Sequence, residues 1–215
     1  MLQYVPDAGP ADWLVASMTT FAESVASFLP GTFEAYARVY HPFEDGGTVP
    51  ARTSAWAEFA AARGVEPHGP AAAAAFACEG VHGAQPRVGT LPRALIEPLL
   101  DQLRPATATP ERCFFAIWDG LAAPIVREAL DPLLELPHRR YHVFRGAIEA
   151  ARTNFSSSEL DHRSANLWWP ADRAWCVATE IDFAWTYVGA SRPCVRALLA
   201  DPRIEATETT ALSRW

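Results

Sequence analysis

From Asp12 the apolar positions Trp13, Val15, Ala16, Phe21, Val25, Phe28 and Leu29 partly follow helical spacing, and Pro30-Gly31 supplies a stop. A first helix is predicted there. Aromatic and β-branched residues at short spacing over 33–40 then lead into His41-Pro42 and the turn Phe43-Glu44-Asp45-Gly46-Gly47, which reads as a strand leaving the core. A second helix is predicted over 54–63, with Thr53 or Ser54 as its cap, Trp56, Phe59 and Ala60 as its apolar stripe, and Gly64 just past its end.

Residues 64–89 carry five Gly, three Pro and the alanine tract 71–75, and read as a flexible excursion with one short helix. The pattern 91–103 predicts a helix after Thr90 with a kink or break at Pro98. CFFAIW at 113–118, bounded by a Thr/Pro-rich stretch and Asp119-Gly120, is a buried strand. A helical turn or two over 124–130, a strand over 140–144, a short helix over 146–152 and a loop over 153–161 follow. The last fifty residues predict paired strands at 174–181 and 185–188, a helix over 193–200 opened by Ser191, and a final strand over 204–209.

These strands often succeed one another without a long helix between them. That favours a single α+β domain over 1–215, with a mixed, largely antiparallel sheet supplied mostly from about Cys113 onward and packed with helices; a doubly wound α/β fold is the alternative. A strand apolar on both faces, as 174–178 is, implies a central position covered on both sides.

Composition changes the picture by exclusion. All 18 basic residues are Arg, so no Schiff-base lysine, lysine general base or P-loop lysine exists. With 40 Ala and no Lys, the chain reads as the product of a GC-rich genome. The net charge of −7, with the Arg scattered, disfavours nucleic acid as a partner. No apolar window is long enough for a membrane span and no basic stretch precedes an apolar one at the start, so a cytoplasmic protein is expected. Cys78, Cys113, Cys176 and Cys194 stand far apart, as buried free thiols would, and no structural zinc or disulfide is expected.

LWWPADRAWCVATEIDFAWTYVGAS over 167–191, with FEAYARVYHPF, CFFAIWDG and RRYHVFRGAIEA, resembles an uncharacterised actinobacterial protein family. No activity comes with that resemblance, and Gly189-Ala190 stands where the family pattern has a Gly pair. A more distant likeness in pattern to the SMI1/KNR4 immunity-protein superfamily implies partner binding.

Glu180 and Asp182 stand two apart near the end of a predicted strand and would share one face about 6.5–7 Å apart. Such a pair can divide acid and base work, hold a hard cation, or answer an Arg, with Arg173, Arg145 and Arg192 as candidates. His138 and His142 could bind a metal with Asp161 or His162, or form a polar strand edge; His41 with Glu44 and Asp45 is a loop site or plain turn chemistry. The chain lacks a G-x-S-x-G elbow and a glycine-rich phosphate loop, and no cofactor is expected. Four Trp fall within 168–185; Trp168 and Trp169 cannot share a face of a strand, so one of them is a candidate for partial exposure.

The function expected is a non-catalytic module binding another protein or a small molecule. A hydrolase or lyase built on carboxylates and His assembled by the fold is the alternative. Any ligand pocket is expected where the strand 174–181 ends, formed by Glu180, Asp182 and Trp185 with Trp118 and Asp119 close by.

Overall fold

In a computed structural model of the chain, the described residues are 2–7, 9–18, 24–45, 53–62, 64–68, 84–121, 134–137 and 139–214. Along the chain run β1 (Gln3–Tyr4), α1 (Asp12–Ser17), β2 (Ala35–Tyr40), β3 (Phe43–Asp45), β4 (Thr53–Ser54), α2 (Trp56–Ala61), β5 (Ala84–Pro86) and α3 (Arg93–Leu103). There follow β6 (Cys113–Trp118), β7 (Leu134–Leu136), β8 (Arg139–Gly146), β9 (Leu167–Pro170), β10 (Trp175–Ala178), β11 (Trp185–Ala190), α4 (Arg192–Ala200) and β12 (Ala206–Thr209). Nine strands form one sheet in the order β1-β8-β6-β9-β10-β11-β2-β12, with β7 also on β8, and each pairing is antiparallel. The fold is α+β. Two of the nine strands, β1 and β2, come from before Cys113.

The central strands are buried on both faces, as their unbroken apolar runs require. One face carries Phe115, Ile117, Trp168, Trp175, Val177 and Val188 against Leu95, Leu99 and Leu103 of α3 and Val195 and Leu198 of α4. The other carries Phe114, Ala116, Trp169, Cys176, Ala178 and Tyr187 against Leu14 of α1 and Val25, Phe28 and Leu29. Trp168 and Trp169 thus go to opposite faces, yet both are buried, and neither has the partial exposure expected of one of them. The reason is that each face has its own helical cover. A smaller sheet, β4-β3-β5, packs Phe43 on Trp56 and Phe59 of α2.

Several local expectations are corrected by tertiary partners. The first helix stops at Ser17, and Val25–Ser27 is a 3-10 turn, because the Val25 and Ala26 amides donate instead to the carbonyls of Ser213 and Ala211 at 3.0 and 2.9 Å. The N-cap position of α2 is Ala55 and not Thr53 or Ser54, and the Glu205 carboxylate accepts the Trp56 and Ala57 amides. Ser191 does occupy the N-cap of α4, but Glu34 Oε2 accepts the Arg192 amide there at 3.1 Å. The helix α3 runs unbroken through Pro98, whose missing donor would have served the carbonyl of Ala94, in the exposed first turn.

Gly64 behaves as expected, with φ +65° and the Gly64 and Val65 amides returning to Ala61 and Ala60, the two bonds of a Schellman motif. Most of the 64–89 excursion, with Cys78, and all of the turn expected at 124–130, lie outside the described residues.

Candidate functional site

Strand β10 ends at Ala178, three residues before the end expected for it, and a turn closed by the Phe183 amide on the Glu180 carbonyl (3.2 Å) leads back into β11. Gly89 holds that turn in place. Its amide donates to the Phe183 carbonyl at 2.9 Å, its φ is +74°, and a Cβ there would lie 2.4 Å from the Ile181 oxygen, so no other residue fits.

The turn separates the two candidate carboxylates. Glu180 points inward with its side chain 8% exposed, whereas that of Asp182 is 73% exposed, so they share a partner and not a face. The partner is Arg139, at the start of β8: its Nη2 donates to Glu180 Oε1 at 2.6 Å and to Asp182 Oδ2 at 3.3 Å. None of the arginines expected in that role takes it. Arg145 donates to Gln3, Arg192 to the Glu34 carbonyl, and Arg173 lies over the Trp13 ring.

Beside Glu180 a small pocket of about 20 Å³, room for about one water, lies between β10, β7 and the α1 side of the sheet. Its apolar lining is Met18, Phe28, Leu136, Pro137, Leu167 and Ala178; its polar lining is Ser27, Arg139, Tyr141, Asn166, Thr179 and Glu180. Most of that polar lining is already engaged. Asn166 Oδ1 accepts the Trp118 amide, and its Nδ2 donates to the Thr179 carbonyl. The Thr179 hydroxyl joins a chain running inward to Thr186 (2.8 Å), then His41 Nε2 (2.9 Å), while His41 Nδ1 donates to the Arg87 carbonyl at 2.6 Å. Burial pulls the His41 imidazole down to about 4, so it is neutral, Thr186 donates to Nε2 and Thr179 donates to Thr186.

Among the side-chain acceptors of the lining, the Tyr141 hydroxyl and Glu180 Oε2 have no bond to any described residue. Burial, with the Glu180 charge adding to it, raises the Tyr141 phenol above its ordinary value, so the hydroxyl keeps its proton.

A second, wider cleft of about 460 Å³ lies across Arg139 and Leu136, lined by Trp118, Asp119, Gly120, Glu135 and Arg140 as well. Here Asp119 Oδ1 lies 3.0 Å from His142 Nε2, and Arg140 Nη2 donates to Asp119 Oδ2 at 2.8 Å. His142 Nδ1 is buried away from the cleft, without a partner among the described residues.

The structure therefore splits the five sequence candidates. Glu180 lines the small pocket, Trp118 and Asp119 the wider cleft, Asp182 lies on the rim of the Arg139 pair, and Trp185 lines neither. Trp185 stacks on Phe183 at 4.7 Å, with the Arg38 guanidinium 5.1 Å over its ring. Arg139, Tyr141, Asn166 and Thr179 were missed. For two of them a signal existed, because Arg139 and Tyr141 alternate with Val143 along one strand face.

His138 lies outside the described residues; of the other residues suggested for that metal set, Asp161 meets Arg87 and Arg163, while His142 meets Asp119. His41 and Glu44 form no site together either, since His41 is fully buried and Glu44 pairs with Arg87. Among the described residues no group of three His, Cys, Asp or Glu side chains could hold a metal ion.

No protein-family model matches the chain, and comparison with curated proteins and with solved structures finds no match either.

Proposed function

We propose that the protein is a non-catalytic binding module that holds a small molecule or a side chain of a partner in the wider cleft across Arg139, beyond the end of β10. The observation that carries this reading is that cleft of about 460 Å³, in which Trp118 and Leu136 supply apolar surface beside the charged groups of Asp119, Glu135, Arg139 and Arg140. The reading rests on that geometry and not on kinship.

The hydrolase or lyase alternative draws on the Asp119–His142 pair, and its geometry is unfavourable. A general base needs a free nitrogen facing the substrate, whereas Nε2 is bonded to Asp119 and Nδ1 is buried. A cytoplasmic location belongs to the same proposal; the buried free thiols of Cys113, Cys176 and Cys194 suit a reducing compartment. The net charge of −7 argues against nucleic acid as the partner. Among the described residues no helix is long and apolar enough to cross a membrane.

The test is thermal unfolding of the purified protein with small organic cations, anions and neutral molecules, repeated on Leu136→Phe, which narrows the cleft. At least one class should raise the Tm of the wild type and not that of the variant. No shift with any class would sink the binding reading, and hydrolysis of activated esters that disappears in His142→Gln would replace it with catalysis.

A further inference from the structure

We infer that the small pocket beside Glu180 is the site of one internal water, held between the Tyr141 hydroxyl and Glu180 Oε2, through which Tyr141 positions Arg139 at the back of the wider cleft. The inference does not depend on what that cleft binds.

Size and partners both fit a single water. A water needs roughly 10–15 Å³ and two to four polar partners, and the pocket offers about 20 Å³. Arg139 and Tyr141 alternate onto one face of β8, and Glu180 reaches the same space from beyond the end of β10. Glu180 is 8% exposed and engages Arg139 through Oε1 alone, leaving Oε2 as an acceptor. Tyr141 is 7% exposed, and it forms no direct hydrogen bond with Glu180. Arg139, on the same wall, carries a further buried donor in its Nε. Because the Tyr141 phenol keeps its proton, its O–H donates to the water and the water donates to Glu180 Oε2. One molecule thereby joins two buried oxygens that do not join each other.

Charge selects water over an ion of similar size. The Glu180 charge is already answered by Arg139 at 2.6 Å, so a sodium or ammonium ion would lie against the guanidinium. Asp182, the other carboxylate on Arg139, is 73% exposed, and solvent screens it. An anion would lie against Glu180 itself. A neutral molecule that both donates and accepts suits a space walled by a carboxylate, a phenol and a guanidinium.

The water bears on the wider cleft because Arg139 and Leu136 line both spaces. Held on Oε2 by the water and on Oε1 by Arg139, the Glu180 carboxylate has both oxygens fixed, and it fixes the guanidinium in turn. Tyr141 is then a positioning residue for Arg139, which it reaches through the water and Glu180.

The experiment is a pair of high-resolution crystal structures, of the full chain and of Tyr141→Phe, with oxygen-17 relaxation dispersion of both in solution. The wild type should show one ordered water within hydrogen-bond distance of Tyr141 Oη and Glu180 Oε2, without anomalous signal after a rubidium chloride soak. Its residence time should be about tenfold shorter in Tyr141→Phe, which loses one of its hydrogen bonds, and the Arg139 guanidinium should be less ordered there. Unfolding curves of the two proteins check that the variant folds. No density between the two oxygens in the wild type overturns the inference, and a rubidium peak there replaces the water with a monovalent cation. An unchanged residence time in Tyr141→Phe, or an Arg139 equally ordered in both structures, overturns the positioning role.

Discussion

Glu205, just ahead of β12, accepts the Trp56 amide on Oε2 at 2.6 Å, so the first turn of α2 is closed by a carboxylate 149 residues further along the chain. The same side chain takes the Ala57 amide at 2.9 Å and meets His68 Nε2 at 2.8 Å, while the His68 ring stacks on Tyr40 at 4.5 Å between centroids. One carboxylate thus ties α2 and the start of the 64–89 excursion to the edge of the main sheet. Glu205→Ala should cost about 1–2 kcal/mol, as loss of an N-cap does. Amide exchange measured by mass spectrometry should rise in 55–68 and stay unchanged in β6 and β9; uniform exchange would show that the tie is not local.

The Arg139 pair predicts an asymmetry. Arg139→Ala leaves the Glu180 carboxylate buried without its counter-charge and should cost about 2–3 kcal/mol, below the figure for a fully dry pair because Arg139 is 27% exposed. Asp182→Ala removes an exposed contact at 3.3 Å and should change stability by less than about 0.5 kcal/mol. Urea denaturation of the two variants checks the order, and equal losses would contradict the geometry.

His41 makes stability depend on pH. Its imidazole drops from 6.5 unfolded to about 4 folded because burial disfavours the charged form, so between those values the unfolded chain binds more protons. Its contribution is complete above pH 6.5 and lost as the pH falls toward 4, amounting to roughly 3 kcal/mol. His162, also lowered to about 4 by burial and then by Arg93 and Arg87, adds a loss of the same sign. Denaturant midpoints measured from pH 7 to 4 should fall accordingly, and His41→Asn should flatten the slope by about one proton.

The thiols of Cys113, Cys176 and Cys194 are buried, and that burial raises all three, Cys113 to about 12 and Cys194 to about 11. Since the thiolate is the nucleophile, none of the three should take up iodoacetamide at pH 8 in the native protein, and all three should after unfolding. Peptide mass mapping reads this directly; labelling of Cys176 without unfolding would contradict its place in the centre of the sheet.

Much of the architecture is written in short-range pattern. CFFAIW bounded by turn residues is a buried strand wherever it lies, and β6 runs from Cys113 to Trp118 as that pattern requires. The alternating helices and closely spaced strands point to an antiparallel α+β sheet, and Gly64 marks the end of α2 because a helix terminus favours the φ that glycine adopts freely. Such features depend on neighbours within a few residues.

Tertiary structure decided everything that depends on a distant partner. The caps of α2 and α4 come from Glu205 and Glu34, so a search for Ser or Thr beside the helix could not find the capping atoms. Both faces of β9 acquired helical covers, which buried a tryptophan expected to be partly open. The pairing that shapes the cleft, Arg139 with Glu180, joins residues 41 apart in sequence whose strands are not even neighbours in the sheet. Charge and periodicity marked Glu180 as a residue in need of a partner; only the order β8-β6-β9-β10 and the turn held by Gly89 brought Arg139 and Tyr141 to it, because register and strand order arise from packing the whole chain.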